Sequence, residues 1–320
     1  MANYQSVQGD LIESVTTDPS NPIEGQIWYN SSSGTLKVYK TINAFSAGGS
    51  MNNARAAGPA QNGTQTAALA AGGGYTTASE SYNGIAWTNT SPINTAREAP
   101  GGAGTQTAAL IWGGNSPAPL YNSVPATELW NGTSWTTSPA TLNSQHAGPV
   151  GGCGTQTAAL TAGGGTNPAL VGNVTTATEL WNGTGWTSNP TGLNVKRYTA
   201  SMFGIQTAAI ISKGNGTDAP PAASNATESW NGTSWTNVAN FPSPFSVGYG
   251  TAGIQTAGLT MGPSIATLWN GSSWTASGSL GTPRTTYGGS GTQPAALVFG
   301  GPTTATEEWN AVGTQTVTVS

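Results

Sequence analysis

Charged residues are scarce in this chain of 320 amino acids, where they make up 6% of the residues and leave a net charge of −4. A nucleic-acid-binding surface needs clustered Lys and Arg to neutralise phosphates, and no such cluster is present. Apolar runs of membrane-spanning length are also missing. We therefore expect neither nucleic-acid binding nor membrane insertion.

Cysteine and histidine are nearly absent, with one residue of each. Cys153 has no second cysteine for an internal disulfide bond, so we expect it to pack as a small buried side chain. The start, MANYQSVQGD, has neither the charged nor the apolar region of a Sec signal peptide. The composition, rich in Gly, Ser, Thr, Asn and Ala, is typical of virion or extracellular parts. We therefore expect a virion component, assembled in the host cytoplasm and released by lysis.

What the chain does contain is a repeat. Six copies follow one order, an Ala/Gly-rich strand, an acidic residue, a Trp-Asn-Gly turn and a second Trp, although some copies lack one of these parts. The copies are spaced by 38 to 50 residues, a period typical of β-propeller blades. The glutamines that mark them are Gln65, Gln106, Gln156, Gln206, Gln255 and Gln293.

Each copy divides into four short strands. In the second copy, the third strand runs through Glu128 to Trp130, Asn131-Gly132 gives a strong hairpin signal, and Trp135 starts the fourth strand. We predict an all-β, six-bladed propeller whose Trp rings fill the gaps between blades. We expect Thr314–Ser320 to be the outer strand of blade six. A seven-bladed ring that uses the N-terminal hairpin is the alternative.

The repeat resembles the kelch repeat over about residues 46–320. The kelch order of a Gly-Gly pair, an acidic residue, an aromatic residue, a turn and a Trp is matched by Gly164-Gly165, Glu179, Trp181 and Trp186. The sequence motifs GTQTAAL and TELWNGTSWT are similar to those of kelch-type propellers predicted in tailed phages of marine bacteria. The chain departs from the pattern in three ways: Asn replaces Asp after the aromatic residue, blade five lacks the Glu, and the last blade lacks its second Trp.

Catalytic propellers provide a contrast. A galactose oxidase-like copper site would require two histidines, and this chain has only His146. Sialidase-like sites would require a converging arginine cluster, whereas the arginines here occur once per blade at matching positions. We therefore expect no enzymatic activity, no cofactor and no metal.

Arginine and glutamate occur together in the repeats. Blade five has Ser246 and Thr267 at their positions and so loses both charges at once, which predicts an Arg–carboxylate pair. Blade three keeps Glu179 opposite His146. The alternative interpretation makes the arginines ligands for anionic sugars. The predicted pairs are Arg55 with Glu80, Arg97 with Glu128, Arg197 with Glu228, and Arg284 with Glu307.

Residues 1–45 form a different segment, separate from a propeller domain at 46–320. A strand at Gln26–Asn30, a Ser/Gly turn and a strand at Thr35–Lys40 resemble the short hairpin modules of phage tail-fibre proteins. That resemblance implies attachment to other virion proteins through the N-terminus, in a homo-oligomer for which we favour a trimer. The alternative is that the hairpin only extends the propeller. The similarity of Trp28-Tyr29-Asn30 to the Trp-Asn turn of the blades supports this alternative.

Three insertions follow the Gly-Gly pairs of successive blades, at Asn115–Pro125, Thr166–Val174 and Asn215–Asn225. Insertions at the same point of successive repeats emerge on the same face of the ring. We therefore expect these three loops to form a raised surface, which we call the loop wall, that contacts a neutral glycan or a protein. Tolerated surface loops without a partner are the alternative. The candidate binding residues are Leu120, Tyr121, Leu170, Val171, Asp218 and Pro220.

These observations lead to two functional hypotheses. The first is a non-enzymatic structural protein of a phage virion, a tail-fibre or appendage subunit that presents a propeller to host-surface glycans, host proteins or neighbouring subunits. The second is a secreted bacterial propeller that binds or cleaves carbohydrate.

Overall fold

The computed structural model describes residues 12–55, 60–118, 122–144, 146, 151–165, 174–216, 224–242, 250–262, 265–285 and 287–317. The chain divides into two units, one formed by Met1–Ala44 with Asn310–Ser320 and the other by Phe45–Trp309. The second unit therefore ends before the predicted boundary at residue 320. Across the described ranges the protein is all-β, and no helix in them is long and apolar enough to cross a membrane.

The first unit is organised around Asp18. Its carboxylate accepts hydrogen bonds from Trp28 Nε1 at 3.0 Å, Asn30 Nδ2 at 2.7 Å and Lys37 Nζ at 2.6 Å. These bonds, that from Lys37 foremost, lower the pKa of Asp18 to about 2. A short strand runs parallel to the first strand of the predicted hairpin, whose two strands pair antiparallel. The strands are β1 (Glu13–Val15), β2 (Ile27–Asn30) and β3 (Thr35–Ala47), whose last residues belong to the second unit.

In the second unit, blades one to five are each a four-stranded antiparallel sheet in chain order. Their strands are β4 (Ala60–Gly63), β5 (Ala68–Ala71), β6 (Ser79–Tyr82) and β7 (Trp87–Asn89); β8 (Gly101–Gly104), β9 (Ala109–Trp112), β10 (Ala126–Trp130) and β11 (Trp135–Thr141); β12 (Gly151–Gly154), β13 (Ala159–Ala162), β14 (Thr178–Trp181) and β15 (Trp186–Asn189); β16 (Ser201–Ile205), β17 (Ala208–Ser212), β18 (Thr227–Trp230) and β19 (Trp235–Val238); β20 (Thr251–Ile254), β21 (Ala257–Met261), β22 (Ala266–Trp269) and β23 (Trp274–Ala276).

The Asn-Gly turns join the third and fourth strands, as predicted. Asn131 Oδ1 accepts the backbone N–H groups of Thr133 and Ser134, both at 2.9 Å. Gly132 has a φ of +94°, a conformation that side-chain-bearing residues rarely adopt. The side-chain cap and the glycine together fix the register in which Trp130 pairs with Trp135.

Blade six differs from the prediction in its outer strand. It consists of β24 (Gly288–Gly291), β25 (Ala295–Phe299), β26 (Thr306–Thr316) and, outermost, the end of β3. Ala311 stands where the other blades have the turn glycine. Without that turn, β26 continues through Thr316, so Thr314–Thr316 belong to the third strand of the blade and not to the predicted outer strand, and residues 318–320 lie outside the described residues.

Phe45 takes the place of the missing second Trp of blade six. Its ring centroid lies 5.0 Å from that of Trp309, as Trp130 and Trp135 are 5.2 Å apart in blade two. The backbone N–H of Gly48 donates to the carbonyl of Thr306 at 2.9 Å. An N-terminal strand therefore completes the last blade.

The blades form a closed ring of six. Their first strands, β4, β8, β12, β16, β20 and β24, contact one another in chain order, and β24 contacts β4. The seven-bladed alternative is therefore wrong. The apolar cores lie between neighbouring blades: one cluster contains Leu110 and Trp112 of blade two with Ala159, Trp181 and Trp186 of blade three. The Trp rings thus fill the gaps between blades, as predicted.

Candidate functional site

The predicted Arg–Glu residues lie together in four blades. The distances from Nη2 to Oε1 are 2.7 Å for Arg55 and Glu80, 2.6 Å for Arg97 and Glu128, and 2.5 Å for Arg197 and Glu228. Arg284 and Glu307 form the same pair. We call each pair, with the loop that carries its arginine, a latch.

Each latch ties the loop that enters a blade to the third strand of that blade. In blade two, Glu128 accepts the backbone N–H groups of Asn94 at 2.6 Å and Thr95 at 3.1 Å, besides the bond from Arg97. The other nitrogens of Arg97 donate to the carbonyl groups of Thr95, Gly113 and Ala126. The guanidinium thus joins three segments of one blade.

The charges in the latches are buried. Burial lowers the pKa of Arg55, against the opposing effect of Glu80. Burial also acts to raise the pKa of Glu80, but hydrogen bonds from Asn52 and Arg55 outweigh it and hold that pKa below its ordinary value. Arg97 and Arg197 have no solvent exposure. In these two residues every guanidinium nitrogen already donates a hydrogen bond, which makes them poor ligands for an anionic sugar and favours the structural interpretation.

Blade three contains a histidine version of the latch. His146 Nε2 lies 3.1 Å from Glu179 Oε1, and His146 Nδ1 lies 2.5 Å from the carbonyl oxygen of Gly163. Burial acts to raise the pKa of Glu179, but hydrogen bonds from His146 and from the backbone of Asn143 and Ser144 lower it overall.

Blade five has Thr267 at the glutamate position, and Ser246 lies outside the described residues. The preceding blade places Lys213 beside this blade, with its Nζ 4.8 Å from the ring centroid of Phe241. Lys213 is fully buried, and burial holds its pKa well below the ordinary value. Sequence reasoning missed this residue. The available signal was a lysine at the position where other blades have the first glycine of the Gly-Gly pair, and the structure gives that lysine a φ of +60°.

The repeat glutamines connect neighbouring blades, a role that sequence reasoning did not assign. Gln156 Nε2 of blade three donates to the carbonyl groups of Ala109 at 3.0 Å and Trp130 at 2.6 Å in blade two. The backbone carbonyl of Gln156 accepts Trp181 Nε1 at 2.9 Å within its own blade. The side chains of Gln65, Gln106, Gln206, Gln255 and Gln293 make the equivalent contacts with the blade before them.

A cavity of about 160 Å³ lies among the first strands. Its lining is mostly glycine backbone, together with small or apolar side chains such as Cys153, Phe203 and Ser290. Burial raises the pKa of the Cys153 thiol, which keeps it protonated. The volume suits water molecules better than organic ligands, whose pockets are usually about 300–1,000 Å³.

The six candidate residues of the loop wall, Leu120, Tyr121, Leu170, Val171, Asp218 and Pro220, lie outside the described residues. The bases of their loops are described and are equivalent to one another. Val124 N–H donates to Gly114 O at 2.9 Å, Thr175 N–H to Gly164 O at 2.8 Å, and Ser224 N–H to Gly214 O at 2.8 Å. In the described ranges, His, Cys, Asp and Glu form no group of three that could hold a metal ion.

Comparison with known proteins shows the fold alone. No protein-family model and no curated protein matches the chain. Among solved structures, that of YjhT superposes with a TM-score of 0.68, at 13% sequence identity, and the match covers 84% of this chain and 100% of that one. The chain is therefore similar to YjhT in being a β-propeller.

Proposed function

We propose that this chain is a non-enzymatic structural protein of a phage virion, a tail-fibre or appendage subunit whose kelch-type propeller presents loops to a host surface or to a neighbouring subunit. The observation that supports the proposal is the position of the charged residues inside the blades. The four arginines of the repeats are buried in latches, which leaves the inserted loops as the variable part of an otherwise regular frame.

The kelch assignment is supported by the roles that its signature residues take. Gly164 has a φ of +95°, Glu179 belongs to the latch of its blade, and the rings of Trp181 and Trp186 pack 5.4 Å apart. Each signature position thus has a structural task inside the blade.

Attachment through the N-terminal segment is supported by its separate organisation. The Asp18 network belongs to the first unit and needs no residue of the propeller. We propose that this unit binds other virion proteins in a homo-oligomer, with a trimer favoured.

The attachment test removes residues 1–44 and keeps Phe45, which completes blade six. The shortened chain should fold and remain soluble but fail to enter particles, as followed by mass spectrometry of purified virions. The single substitution D18N in the full chain is a gentler version, because it weakens only the first unit. Normal incorporation of the shortened chain would contradict the attachment role.

The recognition test shortens the three insertions to the length found in blade five. Folding should be preserved, because the base of each loop is held by backbone hydrogen bonds, while adsorption to host cells or assembly with the neighbouring subunit should weaken. Retention of both activities would contradict the loop wall. Turnover of a bound glycan would instead favour a secreted carbohydrate-active propeller.

A further inference from the structure

The latch of blade three pairs its glutamate with a histidine instead of an arginine. His146 stands where blades one, two, four and six have an arginine. Its side chain is fully buried, and each ring nitrogen faces one partner, the carbonyl oxygen of Gly163 or the carboxylate of Glu179. Arginine stays charged over the whole physiological range, whereas imidazole changes charge between about pH 5 and 8.

Both partners of the imidazole accept hydrogen bonds. A carbonyl oxygen has no proton to donate. The carboxylate of Glu179 is bound by the backbone N–H groups of Asn143 at 2.9 Å and Ser144 at 2.7 Å, and these bonds favour its ionised form. A ring between two acceptors satisfies both only when both nitrogens carry hydrogen, which requires the imidazolium ion.

The other charged groups near His146 are occupied by their own pairs. Arg97 donates to the carbonyl of Gly113, whose Cα lies against His146, and is paired with Glu128. Arg197, whose backbone lies against Gly163, is paired with Glu228. The strands β13, β14 and β15 contribute one charged residue, Glu179.

We propose that His146 and Glu179 form a pH-operated latch that holds the backbone of Asn143 and Ser144 on blade three when His146 is protonated and releases it when the imidazolium loses its proton to solvent. A neutral ring has one N–H and one lone pair. It can therefore keep the bond to Gly163 or the bond to Glu179, and the lone pair then faces the other acceptor. Rising pH loosens this loop, while the arginine latches of the other blades stay closed.

The histidine can be observed directly because the chain contains only one. Nitrogen-15 NMR of the full chain labelled at histidine should show an imidazolium at about pH 6 and a neutral ring at about pH 9. Hydrogen exchange by mass spectrometry should show that the amides of Asn143 and Ser144, corrected for intrinsic rates, exchange at least about tenfold faster at the higher pH. The amides of Asn94 and Thr95, at the equivalent place in blade two, should not change.

Two variants separate the latch from a general effect of pH. H146R copies the other blades and should abolish the pH dependence of exchange at Asn143 and Ser144. H146Q cannot be charged and should exchange fast at both pH values, which keeps the test available if H146R does not fold. A neutral histidine at about pH 6 in the folded protein, or equal pH dependence in the wild type and either variant, would overturn the proposal.

Discussion

The latch of blade four offers the sharpest test of the structural interpretation, through the substitution Arg197→Ala. Arg197 is fully buried and donates to Val195 O at 3.1 Å, Lys213 O at 3.1 Å, Ala226 O at 2.7 Å and Glu228 Oε1 at 2.5 Å. Its removal leaves Glu228 as a buried charge without a cation. Breaking one side of a buried pair costs about 3–5 kcal/mol.

That cost converts into a large change in melting temperature. A domain of about this size loses roughly 2–4 °C per kcal/mol, so the melting temperature should fall by about 6–20 °C. Scanning calorimetry or circular dichroism measures the change. The neighbouring Lys196 is exposed, so Lys196→Ala is a matched control that removes a positive charge from the same loop without removing either partner of the Arg197–Glu228 pair.

A second substitution tests the cause of the loss. Glu228→Gln in the Arg197→Ala background removes the unpaired charge and keeps an oxygen for one of the two backbone N–H groups, of Asn194 and Val195, that donate to the two carboxylate oxygens of Glu228. The double variant should be more stable than Arg197→Ala alone, as a double-mutant cycle would show. A melting temperature within about 2 °C of the wild type for Arg197→Ala, together with lost host binding, would refute the structural role and restore that of a ligand for anionic sugars.

Three further outcomes follow from other contacts. Gln156→Ala should cost about 1–3 kcal/mol, because it removes two hydrogen bonds from blade three to the backbone of blade two. Urea unfolding measures this, and an unchanged midpoint would contradict the role. Phe45→Ala should cost about 1–3 kcal/mol and speed hydrogen exchange in blade six, whereas Phe45→Trp should be tolerated, because it restores the aromatic pair of the other blades; equal effects of the two would argue against the packing. The lowered pKa of Asp18 stabilises the first unit above about pH 4, and this stabilisation is lost as the pH falls toward 2, where Asp18 is protonated and its bond to Lys37 breaks. Asp18→Asn should lack this acid transition, which Trp28 fluorescence can follow.

The sequence by itself determined the strands and the number of blades. The turn at Asn131-Gly132 and the paired tryptophans repeat because every blade needs a tight chain reversal and aromatic packing against its neighbours. Both requirements are local, so short sequence motifs specify them. The joint loss of Arg and Glu in blade five predicted the buried pairs for a similar reason, since neither charge is tolerated without the other.

Tertiary structure decided how the ring closes and what the repeat glutamines do. Gln156 binds carbonyl groups of residues 26 and 47 positions earlier in the chain, contacts that no local pattern specifies. The outer strand of blade six is the end of β3, because Ala311 supplies no turn and β26 runs on, which leaves that edge to Phe45 and its neighbours. Whether a strand finds its partner nearby or at the other end of the chain depends on where the ring brings the two edges together, and only the folded structure contains that information.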